Sequence, residues 1–206
     1  MINAARIARD LIVVGASAGG VSAIIELLEK LPHDLPAAIA IVLHRSPFHE
    51  TQLPVVLGRH SDLVVREPVD GDPIERGTVY VAPRDQHMLV ERDVIRLDRG
   101  PKEHRTRPAV DPLFRSAAAT YGPRVVGVIL SGMGSDGVSG LIAIKAGGGI
   151  SLVQSPAEAQ FPVMPSRALK EDDVDASLPI HGLAAVLAVL AAGGVVDDEV
   201  PRAAER

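Results

Sequence analysis

Cysteine and tryptophan are both absent from this sequence, and aromatic residues are scarce, with three Phe and two Tyr among 206 residues. The absence of cysteine excludes disulfide bonds, thiolate metal sites and a cysteine nucleophile. The scarcity of aromatic rings argues against ligand binding by ring stacking. A dense basic stripe is also missing, because the arginines are spread along a chain whose formal net charge is -5. This distribution argues against a nucleic-acid partner.

Long hydrophobic runs are also lacking. The most apolar stretch, residues 182–196, is shorter than the ~20 residues that a transmembrane helix needs, and we interpret it as part of a terminal helix packed on a sheet. The first ten residues lead directly into a predicted strand and do not show the pattern of a secretory signal. We therefore expect a soluble, cytoplasmic protein without membrane insertion, and the lack of cysteine is compatible with that location.

Small branched residues dominate the sequence and predict an α/β fold. Ala, Val, Ile and Leu supply a core typical of parallel strands covered by helices, and 206 residues are enough for one well-buried domain. Apolar runs predict strands at residues 11–15, 38–43, 63–65, 125–130 and 149–154. Patterns with helical spacing alternate with these strands at residues 20–31, 50–59, 112–120 and 136–146, and from residue 181 onward.

The middle of the sequence has a different character. Turn signals separate short runs such as 78–81 and 94–97, which is a pattern typical of antiparallel hairpins. The expected architecture is therefore a doubly wound, mostly parallel sheet flanked by helices, with a small antiparallel hairpin region in the middle. We assign residues 1–195 to one domain and residues 196–206 to a flexible tail.

Three of the predicted strands lead into polar residues of the kinds that serine hydrolases use. Strand 11–15 leads into Ser17, strand 38–43 into His44, and strand 125–130 into a glycine-rich loop that reaches Asp136. Parallel strands of one sheet present such residues along the same edge, where open α/β folds place their ligands. The sequence therefore predicts a Ser-His-Asp cluster in which Asp136 fixes the tautomer of His44.

The segment around Ser17 fits more than one function. Residues 15–19 match the Gly-x-Ser-x-Gly elbow between a strand and a helix, and the first N–H groups of that helix can help to hold an oxyanion. One alternative is a dinucleotide fingerprint, but Ser17 then replaces the second glycine, and Asp34 falls in the loop before the next strand. The other alternative is a phosphate-binding or purely structural turn with an incidental serine.

His44 and Asp136 have simpler interpretations as well. A lone histidine at the end of a buried strand is by default a satisfied core residue, and Asp136 can be no more than a helix N-cap. Three such features at one sheet edge are much less expected by chance than one, so we favour catalysis. The other histidines show no metal-binding pattern. We interpret them as surface or structural residues and expect no metal and no cofactor; they are His33, His49, His60, His87, His104 and His181.

At these residues the sequence resembles the catalytic domain of CheB, the chemotaxis protein-glutamate methylesterase. The resemblance covers roughly residues 10–190, and the combination of its motifs is more specific than any one of them. The matching segments are residues 15–20 (GASAGG), 43–44 (LH), 80–83 (YVAP), 85–88 (DQHM), 107–111 (RPAVD), 132–137 (GMGSDG) and 157–165 (AEAQFPVMP).

The resemblance implies hydrolysis of glutamyl methyl esters on the cytoplasmic domain of a methylated chemoreceptor. Ser17 would attack the ester carbonyl, His44 would pass the proton to departing methanol, and Asp136 would orient His44. The family pattern makes the backbone N–H groups of Ala18 and Met133 candidate oxyanion donors. Some family members also deamidate receptor glutamines, which is the same acyl chemistry with ammonia leaving.

The sequence departs from the family pattern in three places. Ala18 stands where many members have threonine, so a hydroxyl is lost while the backbone amide is kept. Arg45 follows His44 where an apolar residue is common; we interpret Arg45 as solvent-facing, with contact to an acidic receptor surface as the alternative. Regulated members carry a phosphorylatable receiver domain ahead of the esterase, whereas here the strand before Ser17 begins almost at the first residue. We therefore expect no built-in phosphorylation switch, which leaves constitutive activity, a regulator acting in trans, or an excised domain.

Two other functions are kept as alternatives. One is an esterase of the same fold that acts on a different ester. The other is a chemosensory scaffold that has kept the fold without turnover. A fluorophosphonate probe separates the enzymes from the scaffold, because only an activated serine reacts with it.

Overall fold

The computed structural model describes residues 7–45 and 52–195, which form two β-sheets flanked by helices. The strands of the larger sheet are β1 (Leu11–Ala16), β2 (Ala38–Leu43), β3 (Val64–Arg66), β4 (Thr78–Val81), β7 (Val125–Ile129), β8 (Ile150–Gln154) and β9 (Ala176–Leu178). They lie in the order β3-β4-β2-β1-β7-β8-β9, and every neighbouring pair is parallel. The smaller sheet is the antiparallel hairpin of β5 (His87–Glu91) and β6 (Val94–Asp98).

Helices cover both faces of the larger sheet. They are α1 (Gly20–Glu29), α2 (Leu53–Gly58), α3 (Val110–Tyr121), α4 (Val138–Ala146), α5 (Val163–Glu171) and α6 (Ile180–Ala191), with a short 3-10 turn at Gly122–Arg124. Apolar residues of α1, α2 and α6 form one core cluster with the sheet. Those of α3, α4, α5 and the hairpin form the other.

The two clusters divide each central strand by the two-residue period of a β-strand. In β1, Ile12 and Val14 face the first cluster, whereas Leu11 and Val13 face the second. Both faces are therefore covered, and all six residues of β1 and of β2 are buried. This two-sided burial explains why these strands appear in the sequence as continuous apolar runs.

The predicted doubly wound α/β fold with a small hairpin is confirmed, but one strand was assigned wrongly. Residues Thr78–Val81 were predicted to belong to the hairpin region, whereas β4 pairs in parallel with β2 and with β3. All four of its residues are buried, as an interior parallel strand requires. The turn signals on either side of this short run misled the prediction, because they are typical of hairpins but do not determine strand direction.

Two elements near the end of the domain were not predicted from the sequence. Helix α5 is only nine residues long and has Pro165 in its first turn, and β9 has only three residues, so each offers few positions from which a periodic pattern can be read. Helix α2 begins at Leu53, and the first residues of the predicted helix 50–59 lie outside the described residues, as does the predicted tail 196–206. The predicted terminal helix is α6, and no helix among residues 7–45 and 52–195 has the length and apolarity that a bilayer crossing requires.

The order of the strands determines where the candidate catalytic residues lie. Strand β1 is central and pairs with β2 on one side and with β7 on the other. At the carboxyl ends of these strands Ala16 lies beside Leu43, and Gly15 lies beside Ile129. The segments that follow the three strands therefore leave the sheet side by side.

Candidate active site

Ser17 is the first residue after β1 and lies in the tight turn that leads into α1. Its N–H donates to the carbonyl oxygen of Ser131 at 3.0 Å, and its own carbonyl accepts from the N–H of Gly20 at 2.9 Å. Gly19 has a φ of 71°, in the left-handed region that glycine adopts without strain, and it forms the N-cap of α1. The turn leaves Ser17 half-buried at the edge of the sheet.

His44 and Asp136 are in direct contact. His44 follows β2, and its N–H donates to the carbonyl oxygen of Ala16 at 3.0 Å, which holds it beside the end of β1. The Nε2 atom of His44 lies 2.7 Å from Oδ2 of Asp136, although the two residues are 92 positions apart in the sequence. Asp136 ends the loop after β7, and only 2% of its side chain is exposed, against 17% for His44.

The carboxylate of Asp136 is held by three donors. Besides His44, the N–H of Val110 donates to Oδ2 at 2.7 Å and the N–H of Asp111 donates to Oδ1 at 2.9 Å. These two backbone groups belong to the first turn of α3, whose positive end also stabilises an anion. Burial acts to raise the pKa of Asp136, but the hydrogen bonds from His44, Val110 and Asp111 together outweigh burial and lower that pKa below its ordinary value.

This contact determines the tautomer of His44. An ionised carboxylate only accepts hydrogen bonds, so Nε2 of His44 carries the hydrogen that Asp136 receives. When the imidazole is neutral, Nδ1 then keeps its lone pair. Nδ1 is therefore the ring nitrogen that can accept a proton from a serine hydroxyl.

Ser17 and His44 line the same cleft, which has a volume of about 360 Å³. Its walls are mainly apolar and include Val21, Leu53 and Val56. In the described part of the chain no hydrogen bond joins the Ser17 hydroxyl to His44, although both residues line the cleft. Catalytic hydrogen bonds are often loose in free enzymes and tighten when the substrate binds.

The loop after β7 is tied to the Ser17 turn through Ser131. The hydroxyl of Ser131 donates to the carbonyl oxygen of Ala18 at 2.9 Å and accepts from the N–H of Phe161 at 2.9 Å. Its N–H donates to the buried side chain of Gln154 at 2.8 Å. Within residues 7–45 and 52–195, the N–H groups of Ala18 and Met133 have no intramolecular acceptor. These two predicted oxyanion donors lie on the Ser17 turn and on the loop after β7, which the hydrogen bond from Ser131 to Ala18 connects.

A second buried carboxylate lies behind Asp136. Asp111, in the first turn of α3, is 1% exposed and accepts from the N–H groups of Gly137 and Gly140 at the start of α4, at 3.1 and 2.7 Å. The Nε2 atom of His104 lies 2.8 Å from Oδ2 of Asp111. Burial raises the pKa of Asp111, the Gly140 N–H opposes this, and the negative charge of Asp136 raises the pKa further.

Within the part of the chain that the structure describes, the ligand atoms of His104, Asp111 and Asp136 lie within 4.8 Å of one another, which is close enough to hold a metal ion. The carboxylate oxygens of this group already accept hydrogen bonds, however. Both oxygens of Asp136 and both oxygens of Asp111 accept hydrogen bonds from backbone N–H groups or imidazoles. We therefore assign His104, Asp111 and Asp136 to a hydrogen-bond network and not to a metal site.

Two features of this region were not predicted from the sequence. His104 was interpreted as an isolated surface or structural histidine, and Asp111 was noted only as part of a matching segment, so their pairing beside Asp136 was not foreseen. The interpretation of Arg45 as solvent-facing is wrong, because its side chain is 7% exposed. Arg45 Nη2 lies 2.5 Å from Oε1 of Glu67 and 2.5 Å from the carbonyl oxygen of Ala82.

Comparison with known proteins identifies the family. The family model for CheB methylesterase matches residues 12–187, which is most of the chain. The chain belongs to the CheB methylesterase family. The match includes Ser17, His44 and Asp136, as well as the His104–Asp111 pair.

Curated members of the CheB family are similar to this chain over most of its length. A protein-glutamate methylesterase/protein-glutamine glutaminase 2 from Anaeromyxobacter dehalogenans is 40% identical over 200 residues, which are 97% of this chain and 54% of that protein. A protein of the same name from Methanosarcina mazei is 38% identical over 184 residues, 85% of this chain and 50% of that protein. The chain thus spans about half the length of the curated relatives it matches.

A solved structure of the CheB family has the same fold. The catalytic domain of CheB methylesterase from Thermotoga maritima matches with a TM-score of 0.82 and 32% sequence identity, over 87% of this chain and 97% of that domain. The part of the CheB relatives to which this chain corresponds is therefore the catalytic domain.

Proposed function

We propose that this chain is a protein-glutamate methylesterase in which Ser17 is the nucleophile, His44 the general base and Asp136 the residue that orients His44. The observation that carries the proposal is the 2.7 Å contact between His44 Nε2 and Asp136 Oδ2, together with the position of Ser17 in the same cleft as His44. A buried carboxylate on one ring nitrogen leaves the other to take the serine proton. Membership in the CheB methylesterase family supports the same assignment.

We infer that the substrate is a glutamate γ-methyl ester on the cytoplasmic domain of a chemoreceptor, hydrolysed in the cytoplasm. The ester is uncharged and has an aliphatic stem, which suits a cleft walled by residues such as Val21, Leu53 and Val56. The product is a carboxylate, and a charged group is less favourable in such a cleft than the ester. This difference favours release of the product.

Acylation follows from the geometry of His44. Its Nδ1 atom accepts the proton of the Ser17 hydroxyl as the serine oxygen attacks the ester carbonyl. The imidazolium that forms is stabilised by Asp136, and it then gives the same proton to the methoxide oxygen as the carbon–oxygen bond breaks. Methanol leaves, and the glutamyl group stays attached to Ser17 as an ester.

Deacylation repeats these steps with water. His44 takes a proton from a water molecule as its oxygen attacks the acyl carbon, and the proton then passes to the departing Ser17 oxygen. The products are a free glutamate side chain and the regenerated enzyme. A glutamine side chain would follow the same course with ammonia as the leaving group. We therefore include deamidation in the proposal, as the names of the curated relatives do for those proteins.

The negative oxygen of each tetrahedral intermediate would be held by the N–H groups of Ala18 and Met133. Ala18 precedes the N-cap of α1, where backbone N–H groups and the helix dipole favour negative charge. Loss of the threonine hydroxyl common at this position in the family leaves the Ala18 N–H in place. The bond from Ser131 to the Ala18 carbonyl helps to fix the orientation of the peptide groups around Ser17.

Release of methanol from a methylated receptor fragment tests the proposal. We expect release by the unmodified chain and a loss of up to ~10⁶-fold in kcat for Ser17→Ala, as for a triad serine. The matched control is Ser166→Ala, because Ser166 is exposed on α5 and lies outside the cleft. A fluorophosphonate should label the unmodified chain and Ser166→Ala, but not Ser17→Ala.

The outcomes separate the alternatives. Labelling of Ser17 without methanol release would favour an esterase that acts on another ester. Absence of both labelling and release would favour a catalytically silent scaffold. Near-normal methanol release by Ser17→Ala would refute the assignment of the nucleophile.

A further inference from the structure

The base His44 is not the only imidazole beside the buried carboxylates. His104 Nε2 lies 2.8 Å from Oδ2 of Asp111 and 3.8 Å from Oδ1 of Asp136. His44 contacts the other oxygen of Asp136 at 2.7 Å. The two carboxylates are each 2% exposed or less, whereas the His104 side chain is 38% exposed. Two imidazoles therefore flank one pair of buried acids, and the outer imidazole can exchange protons with solvent.

The segment that carries His104 is held in an unusual conformation. His104 and Arg105 both have positive φ values, 49° and 64°, which are unfavourable for residues other than glycine. The N–H of Thr106 closes the turn on the carbonyl oxygen of Glu103 at 2.8 Å. Strained backbone of this kind persists where the surroundings require it, and here its result is the contact between His104 and Asp111.

Two titratable groups near His104 already have partners, while the cations Lys102 and Arg105 flank His104 in the sequence. Glu103 is bound through both oxygens by Arg115 of α3, each at 2.8 Å. His87 of β5 uses both ring nitrogens on backbone groups, with Nε2 on the carbonyl oxygen of Pro101 and Nδ1 on the N–H of Ala109. The carboxylates that His104 faces directly are Asp111 from α3 and Asp136 from the loop before α4.

We propose that His104 is a positioning residue for the methylesterase reaction: in its protonated form it offsets the charge of the Asp111–Asp136 pair and so lowers the proton affinity of His44. This inference rests on the proposed function of His44 as the base. A cation beside Asp136 weakens the field that favours protonated His44. His44 then stays unprotonated, and competent to accept the Ser17 proton, at lower pH.

Because both imidazoles act on the same carboxylates, their titrations are coupled. Protonation of either one makes protonation of the other less favourable, and each titration curve then shows the influence of both groups. His104 is reachable from solvent, so the pH of the medium sets its charge. The charge of His104, which solvent pH controls, thereby acts on His44 through the two carboxylates, and His104 need not touch the substrate.

The test is the titration of His44 and His104 by NMR, with and without the substitution His104→Gln. Glutamine keeps an N–H donor that can reach Asp111 but cannot carry a positive charge. We expect the midpoint of the His44 titration to rise by about half a pH unit or more in His104→Gln, because removal of a nearby like charge makes protonation of His44 more favourable. The acid limb of kcat/KM for methanol release should move in the same direction.

The matched control is His60→Gln. His60 also pairs with a carboxylate, through Nδ1 at 2.6 Å from Oε1 of Glu29, but this pair lies on the surface and does not involve the cleft. We expect His60→Gln to leave the His44 midpoint unchanged. An unchanged or lower midpoint in folded His104→Gln would overturn the proposal, because a hydrogen-bonding role alone does not shift the proton affinity of His44 upward.

The NMR measurement keeps the proposal testable in two further situations. If His104→Gln does not fold, the NMR titration of His44 in the unmodified chain tests the proposal. A His44 curve with a second inflection at the midpoint of His104 supports coupling, and a curve for one isolated proton overturns it. If the unmodified chain releases no methanol, the proposed function fails, while the His44 titration still decides whether His104 controls its charge.

Discussion

Asp111 and Asp136 each accept hydrogen bonds from the N-terminus of the helix to which the other one is attached. Asp136, just before α4, accepts from the first two N–H groups of α3, while Asp111, in the first turn of α3, accepts from Gly137 and Gly140 at the start of α4. This reciprocal capping fixes the two helices to each other. It also satisfies two buried carboxylates that would otherwise repel each other at close range.

Replacement of Asp136 by Asn should remove most of the activity. Asparagine places an N–H₂ group where the structure requires acceptors for His44 and two backbone N–H groups, so the wrong imidazole tautomer is favoured. We expect kcat to fall by about 10⁴-fold and the free energy of unfolding by about 1–3 kcal/mol. Methanol release and urea unfolding measure the two effects. Asp34→Asn, at an exposed loop position, is the control and should change neither.

Replacement of Ser131 by Ala should reduce turnover more than substrate affinity. The hydroxyl of Ser131 joins the carbonyl of Ala18 to the N–H of Phe161, and its loss frees the turn that carries Ser17. We expect kcat to fall by about 10-fold, since a modest displacement of catalytic groups has an effect of this order or larger. Steady-state kinetics should show KM changed by less than kcat. Equal activity in Ser131→Ala and in the control Ser166→Ala would show that the bridge is dispensable.

Replacement of Gly132 by Ala should distort the cleft. A Cβ at this position would overlap Sδ of Met164 and lie 3.0 Å from Cβ of Ser17, so the loop or the Met164 side chain must move. We expect a loss of stability of about 1–3 kcal/mol, together with lower methanol release. The control is Gly58→Ala, where the nearest atom is Cβ of Val65 at 3.7 Å. This control should unfold no earlier than the unmodified chain, because Gly58 ends α2 and alanine favours helix.

A second substitution, at Met164, tests whether the effect of Gly132→Ala is steric. Met164→Ala removes the atom that a new Cβ would strike, although it also leaves a cavity in the core, because Met164 is fully buried. The double variant should therefore be less destabilised than the sum of the two single variants. Additive losses in thermal unfolding would contradict the steric explanation.

Replacement of Asp10 by Asn should weaken the dependence of stability on acidic pH. Burial acts to raise the pKa of Asp10, but hydrogen bonds and charge from Arg124 and Arg76 lower it below its ordinary value. A lowered folded-state pKa stabilises the protein above the unfolded-state value of 3.8, and this stabilisation is lost as the pH falls through the folded-state pKa. We expect Asp10→Asn to be about 1–2 kcal/mol less stable at pH 7 and to lose less stability on acidification.

Activity provides the control for this substitution. Asp10 precedes β1 at the end of the sheet opposite to the cleft, so kcat/KM at a temperature well below unfolding should not change. Denaturant unfolding from pH 7 down to pH 3 measures the effect on stability. Parallel curves for the two proteins over this range would contradict the assignment of the pKa shift to Asp10.

The sequence was most informative where a residue follows directly from a buried strand. Ser17, His44 and the loop to Asp136 each come after an apolar run, and these strands are parallel neighbours that end at the same edge of the sheet. The direction of Thr78–Val81 was not predictable in the same way. A run of four residues between turns carries no periodic signal that separates a parallel strand from one arm of a hairpin.

The pairing of His104 with Asp111 could not be predicted from the positions of the strands. The contact of His104 with Asp111 depends on how the segment before α3 folds back, and the capping by Asp111 depends on the packing of α3 against α4. Neither has a signature in local hydropathy. In the sequence, residues 100–108 have only the composition of a charged loop. Arg107, which belongs to one of the segments that match the CheB family, binds Asp85 through two nitrogens in this region.

The pairing of β1 with both β2 and β7 has a consequence for the newly made protein. Ser17 and His44 are synthesised before Asp136, whose carboxylate contacts His44 although it follows 92 residues later in the chain. A nascent chain that has not yet added β7 to its sheet therefore holds this hydroxyl and this imidazole without the Asp136 carboxylate. Under the proposed mechanism, full hydrolytic activity appears only after β7 has docked beside β1.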